Sequence, residues 1–206
     1  MERERLLAGG GRVVLWIEVS MMVEAAAAWR DKLETYERQA CRDRLTGLPN
    51  RGLTEDRLAN ATARIRRNGD SLMVCFLDLD RFKALNDHWG HCLGDRLLAI
   101  LAERLSGACR EEDTIGRWGG DEFVGVFQVD NAPREAASRI ATGFLEAVSR
   151  EVTLGEDMVR VTASIGISVY RGGPRSVDDL LREADRALFR AKERGGDTYE
   201  LVSLEE

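Results

Sequence analysis

A chain of 206 residues, 44% hydrophobic and 32% charged, can bury one good core with an appendage and is short for two full domains. Its formal net charge of −6 speaks against a non-specific binder of nucleic-acid polymers, which needs basic excess, but leaves a nucleotide substrate open. Four cysteines without a C-x-x-C pair, and His88 and His91 without partners at zinc-ligand spacing, argue against a disulfide framework or a zinc site and for a reducing cytoplasm.

Met1 to Arg12 is charged and glycine-rich and reads as a flexible leader with no signal-peptide cleavage pattern. The apolar run from Val13 to Trp29 is interrupted by Glu18 and Glu24, too short and too charged for a membrane span. Within it and beyond, Leu15, Val19, Met22, Ala26, Trp29, Leu33, Tyr36 and Ala40 recur at alternating spacings of four and three, the heptad seam of a helix. With these at a and d, Lys32 takes a g position and Glu37 the following e, which would pair across a parallel dimer. The same pattern suits an amphipathic helix folded onto its own domain. The predicted division is 1–41, leader and dimerising helix, and 42–206, the main domain.

Gly47 and Pro49 end that helix, and Leu53 to Arg67 resumes a helical period that Asn68-Gly69 stops. Ser71 to Leu79 is the strongest strand, a continuous apolar run expected of a central strand covered on both faces. It ends in Asp78-Leu79-Asp80, where alternation predicts both acids on one side, and with Lys83 following, a cation and a phosphate account for them best. Phe82 to His88 reads as a short helix, Gly90 to Gly94 as a break, and Asp95 as the opening of a longer helix. Asp113 to Arg117 and Phe123 to Phe127 flank Gly119-Gly120 as a hairpin whose tip carries Asp121 and Glu122. Ala132 to Arg150 is predicted helical, Val159 to Tyr170 a strand, Ser176 to Arg194 a helix, and Thr198 to Val202 a last short strand. The order after residue 70 is β-α-β-β-α-β, an α+β arrangement of the ferredoxin-like, palm type, with a central antiparallel sheet flanked by helices and preceded by a long N-terminal helix. Such a sheet sets the first strand beside the hairpin and brings Asp78 close to Asp121 and Glu122.

Acids converging from separate segments need neutralising, most simply by Mg²⁺, which takes one or two carboxylates and completes its shell with water and phosphate oxygens. Phosphoryl or nucleotidyl transfer is the matching reaction class. Gly9-Gly10-Gly11 lacks the lysine and the strand-to-helix setting of a Walker A loop, so Lys83, the backbone after Asp80 and the hairpin glycines are the candidate phosphate contacts.

These residues together resemble a known family. Gly119-Gly120-Asp121-Glu122-Phe123 is the GGDEF signature, and over about residues 41 to 203 the chain is similar to bacterial diguanylate cyclase domains. Asp43 through Arg51, Asp78 through Asp95, and Ala184 through Lys192 match further motifs of that family in the same order. The resemblance implies two GTP condensed to cyclic di-GMP across a homodimer, with Asp78, the Leu79 carbonyl and Asp121 on Mg²⁺, or Mn²⁺ in its place. It implies Asp121 or Glu122 as the group that deprotonates the 3′-hydroxyl, Lys83 and Lys192 on phosphates, Asn86 and Asp95 on the guanine edge, and Phe82 and His91 at the nucleotide site. A capping or packing role suits His91 equally. Arg110 and Asp113 match the family's R-x-x-D inhibitory product site. Gly196 stands where relatives often carry an arginine that reaches the triphosphate, with Arg194 as a nearby substitute, so weaker GTP affinity or slower turnover is expected. The alternative is a domain without turnover that serves as a cyclic di-GMP receptor.

Overall fold

A computed structural model of the chain describes residues 22–30, 40–68, 70–129 and 133–204. The chain divides into two units, Met1–Ala40 and Cys41–Glu206. In the first, residues 22–30 are helical, with Met22 74% and Trp29 71% exposed. The leader and the heptad positions Leu15, Val19, Leu33 and Tyr36, with Lys32 and Glu37, lie outside the described residues, as do Gly69 and Ala132. Among the described residues no helix is long and apolar enough to cross a membrane.

The second unit opens with a loop folded on itself. Arg42 bridges Pro49, and Asn50, whose side chain accepts from the Leu53 amide at 3.0 Å, caps α1 (Arg51–Asn68). There follow β1 (Ser71–Leu79), α2 (Phe82–Trp89), α3 (His91–Gly107), β2 (Thr114–Gly119), β3 (Glu122–Val129) and α4 (Pro133–Ser149). A small hairpin of β4 (Val152–Leu154) and β5 (Asp157–Val159) precedes β6 (Ala163–Tyr170), α5 (Val177–Glu193) and β7 (Thr198–Leu204). The main sheet runs β2-β3-β1-β6-β7, antiparallel except for the β6–β7 pair, and is the expected mixed α/β core.

Strand alternation divides the core into two layers. Met73, Cys75, Leu77, Phe123, Phe127, Ile165 and Ile167 face one side with residues of α3 and α4, whereas Leu72, Val74, Phe76, Val124 and Val126 face the other with residues of α1 and α5. On β6 the second face carries Ser164, Gly166 and Ser168, all small, so α5 presses close. A Cβ on Gly166 would lie 2.0 Å from the Ala184 carbonyl oxygen, and the Ser168 hydroxyl donates to the Leu180 carbonyl at 2.9 Å.

Three expectations are corrected. The break between the two central helices is Gly90 alone, with φ +82, so α3 begins at His91 and Asp95 lies in its second turn. Gly94 lies inside this helix, and its lack of a side chain makes room for α2, a Cβ at this position falling 1.9 Å from Asn86 Oδ1. The stretch from Val159 to Tyr170 is not one strand: Val159 ends β5 in the small hairpin, residues 160–162 are irregular with the Thr162 carbonyl accepting from the Asp80 amide at 2.9 Å, and β6 joins the main sheet at Ala163.

Candidate active site

Asp78 is an even-numbered position of β1, so its side chain shares the face covered by α5. Its cross-strand partners are Glu122 on β3 and Ser164 on β6, which share that face. The ammonium of Lys192, in the last turn of α5, meets Asp78 Oδ1 at 2.6 Å. Asp121 sits at the hairpin tip beside Gly120, whose φ of +52 is the left-handed geometry that closes the turn. The expected meeting of β1 with the hairpin is therefore realised through the Asp78–Glu122 register.

The tip is held from behind. Trp118 is the extra residue of a β-bulge between Arg117 and Gly119; its ring packs edge-on to Phe76 at 5.8 Å and lies under the Arg51 guanidinium at 4.6 Å. Arg117 donates to the Gly120 carbonyl from Nε at 3.0 Å and Nη2 at 2.8 Å, and from Nη1 to Asp43 at 3.0 Å. Burial works against the charge on Asp43, but hydrogen bonds from Thr46 and Arg117 outweigh it and hold its carboxyl below the ordinary carboxylate value.

The electrostatics of the tip run the other way. Burial first, then the neighbouring Asp78 carboxylate, pushes Asp121 up. Glu122 is pushed up by burial, then by Asp78, Asp121 and Asp185, with Lys192 opposing. Asp185 and Lys192, seven residues apart on α5, bring one charge of each sign to Glu122. Among the described residues no three His, Cys, Asp or Glu side chains stand at metal-ligating spacing, and Lys192 is the cation on Asp78. The mutual repulsion of Asp78, Asp121 and Glu122 suits a hard cation that needs only one or two carboxylates.

Asp80 does not join this group. Its carboxylate accepts from the hydroxyls of Thr162 and Ser164, each at 2.7 Å, and from the Asp197 amide at 2.9 Å. The strand ends at Leu79 and the chain turns through Arg81 at φ +56. Ser164, which faces Asp78 across the strands, also donates to Asp80, so both acids lie toward the α5 side as alternation predicts, but Asp80 is taken up by these three donors while Asp78 meets Lys192.

Of the residues expected at the nucleotide, Lys83 and Asn86 lie one helical turn apart on α2, Lys83 exposed. The Asn86 side-chain oxygen is buried against Gly94 without a hydrogen-bond partner, one residue before the exposed Asp95. His91 is exposed at the start of α3, and Phe82 is buried in the apolar core. Arg194, the expected stand-in at the triphosphate, is ion-paired with Glu200 instead. Arg110 and Asp113 lie on a tight turn, the Arg110 amide donating to Asp113 Oδ2 at 2.9 Å. They line a cleft of about 330 Å³ with Gln128, Glu135 and Arg139. Burial and then Glu112 push the Asp113 carboxyl up. Arg139, Asp43, Arg117 and Asp185 also stand in these surroundings without a role read from sequence, although Asp43 and Asp185 fall within the matched motifs; for Arg117, its charge inside a hairpin flank is the signal that points to such a role.

The family profile "Diguanylate cyclase, GGDEF domain" matches residues 40–198. Among curated proteins of Pseudomonas aeruginosa, the chain is 42% identical over 160 residues to the bifunctional diguanylate cyclase/cyclic di-GMP phosphodiesterase MucR, covering 78% of this chain and 23% of that protein. It is 36% identical over 195 residues to the diguanylate cyclase DgcP, covering 93% of this chain and 28% of DgcP. The chain thus spans about a quarter of the length of these relatives. Among solved structures, the coiled coil and GGDEF domain of DgcB from Caulobacter crescentus, in complex with c-di-GMP, superposes with a TM-score of 0.79 at 29% identity, covering 91% of this chain and 97% of that one. Diguanylate cyclase SiaD of P. aeruginosa, in complex with its activator SiaC, gives 0.75 at 33% identity, covering 90% and 70%.

Proposed function

Since the chain belongs to the GGDEF diguanylate cyclase family, we propose that it condenses two GTP molecules into cyclic di-GMP and two pyrophosphates, one nucleotide being held by each of two facing domains. The observation that carries this reading is the Asp78–Glu122 register, which gathers Asp78, Asp121 and Glu122 around one end of the sheet with Lys192 beside them.

In this reading Asp78, Asp121 and the Leu79 carbonyl hold a divalent cation, Mg²⁺ or Mn²⁺. When bound, it neutralises phosphate charge and lowers the pKa of the attacking hydroxyl. Asp121 or Glu122, each pushed above the ordinary carboxylate value, takes the 3′-hydroxyl proton. The oxygen then bonds to the α-phosphorus of the opposite nucleotide, and the bond to the β-phosphate oxygen breaks to release pyrophosphate. Lys83 and Lys192 offset charge on the phosphates. The buried, unpartnered Asn86 oxygen and the Asp95 carboxylate accept from the guanine edge, donors that adenine does not match, and His91 stands nearby. Two domains must meet in a fixed orientation, and a dimer through the helix that exposes Met22 and Trp29 would raise their effective concentration. The working division is a dimerising segment at 1–41 and a catalytic domain at 42–206, placed in the cytoplasm with its GTP supply. Cyclic di-GMP binding in the cleft of Arg110, Asp113 and Arg139 would provide product inhibition.

A second reading, a cyclic di-GMP receptor without turnover, is favoured by one observation: Gly196 brings no charge and Arg194 is engaged by Glu200. Incubating the purified chain with GTP and Mg²⁺ and separating the products decides between them. Cyclic di-GMP is expected. Its absence at high protein concentration, while added cyclic di-GMP still binds, would establish the receptor.

A further inference from the structure

Asp80 carries three hydrogen bonds that the reaction as described does not use. Its two carboxylate oxygens take the hydroxyls of Thr162 and Ser164 and the amide of Asp197, drawn from β6, from the residue ahead of it, and from the turn after α5. Its own amide donates to the Thr162 carbonyl at 2.9 Å. Three donors on one ionised carboxylate make a strong anchor, because hydrogen bonds to a charged acceptor are roughly twice as strong as neutral ones.

What the anchor holds is the end of α5. The Gly196 amide donates back to the Ala191 carbonyl at 3.2 Å, and the Gly195 amide to the Lys192 carbonyl at 3.0 Å, the pattern of a helix closed by left-handed residues. Gly195, Gly196 and Asp197 all have positive φ, so the turn is a tight knot with little slack. Gly196 lets it approach so closely: a Cβ there would stand 2.9 Å from Asp80 Oδ2 and 3.0 Å from Oδ1. The side chain of Lys192, inside this knot, returns to Asp78 at 2.6 Å. The end of β1 and the end of α5 are thus joined twice, through Asp80 to the Asp197 amide and through Asp78 to Lys192.

We propose that Asp80 is a positioning residue for this reaction: by fixing the Arg194–Asp197 turn through Thr162, Ser164 and the Asp197 amide, it sets Lys192 against Asp78 and the phosphates. This rests on the reading of the site as a cyclase. With its carboxylate engaged by Thr162, Ser164 and the Asp197 amide, Asp80 is assigned to act through the turn and not by contact with substrate or the reacting atoms. The role also gives Gly196 a structural reason, as the residue that lets the turn close on the carboxylate.

The test compares the full chain with Asp80→Ala and with the double variant Thr162→Val/Ser164→Ala, which keeps the acid but removes two of its donors. Three readouts are taken: amide exchange at Asp197 by NMR, protection of Lys192 from acetic anhydride by mass spectrometry, and the kinetic constants for GTP. Both variants are expected to speed exchange at Asp197, to expose Lys192 to acylation, and to lower kcat by roughly 10- to 100-fold, as small misplacements of a phosphate-binding group do, while amides of Met73 to Leu77 stay protected. Asp80→Glu, which keeps the charge but lengthens the arm, should not rescue. Unchanged exchange and acylation in both variants would overturn the proposal, as would faster exchange with kcat unaltered, which would leave Asp80 a purely structural anchor. Should Asp80→Ala fail to fold, the double variant gives the same decision. Should the unaltered chain make no cyclic di-GMP, the cyclase reading fails, and unchanged exchange and acylation would still overturn the anchoring of Lys192.

Discussion

Arg117 donates to both carboxylate oxygens of Asp43, at 3.0 and 3.2 Å, while its other nitrogens hold the carbonyl of Gly120. One guanidinium thus joins the loop that opens the domain to the tip carrying the acids. The pair is largely buried, with the Arg117 side chain 15% and the Asp43 side chain 23% exposed. Arg117→Ala is expected to cost about 1.5–3 kcal/mol in urea unfolding. Asp43→Asn should show how that depends on pH. The folded-state pKa of Asp43 lies below its unfolded value of about 3.9, so its contribution is present above that value and lost as pH falls through the lowered one. The two unfolding curves should differ at pH 7 and converge in acid.

Asp121 obeys the opposite sign. Its folded-state pKa is raised, so its contribution to stability is fullest below the unfolded pKa and is lost as pH rises through the folded one. In chelator-treated protein Asp121→Asn should raise Tm at pH 7 by roughly 1–3 °C, a small effect because solvent screens a half-exposed group, with no gain in acid. The same variant should abolish cyclic di-GMP synthesis.

Gly166 tolerates no side chain. A Cβ would meet the backbone of α5 at the Ala184 carbonyl oxygen, 2.0 Å away, and at the Leu188 nitrogen, 2.1 Å away. Gly166→Ala should cost about 2–3 kcal/mol, measured by urea unfolding, because backbone cannot rotate aside as a side chain can. Activity should fall further than the folded fraction does, since Lys192 moves with α5.

Thiol labelling should follow burial. Cys92 is exposed, Cys75 is fully buried, and burial followed by the Asp113 charge pushes the Cys109 thiol up to about 12. Iodoacetamide at pH 7 should modify Cys92 readily and Cys109 slowly. Cys75, also pushed up by burial, should react only after unfolding, as mass spectrometry of tryptic peptides would show.

Arg139 shares the cleft of Arg110 and Asp113. Arg139→Ala should weaken cyclic di-GMP binding in calorimetry by about tenfold, the scale of one lost charge-assisted contact, and leave GTP turnover without product unchanged.

Sequence alone revealed the parts whose physics is local. The apolar run of β1 and the Gly119-Gly120 turn announced themselves, and the helical period of α5 placed Lys192 near its end. What it did not reveal depended on partners distant in the chain. Asp80 looked like a second cation ligand because the hydroxyls that claim it, on Thr162 and Ser164, lie beyond three intervening helices. The start of α3 was misplaced because Gly94 reads as a breaker until α2 is seen crossing it. Arg194 looked available until β7 brought Glu200 beside it.

The central position of β1 carries a consequence for how the chain comes to be folded. Cys75 lies opposite Gly125 on one side and Ile167 on the other, so the most apolar segment waits for a neighbour synthesised long after it. At ordinary translation rates that wait is roughly 5–20 s, during which Leu72 to Leu77 can form at most one of its two ladders. The nascent domain therefore passes through a stage with an open apolar edge, when association with another nascent chain competes with completion of the sheet.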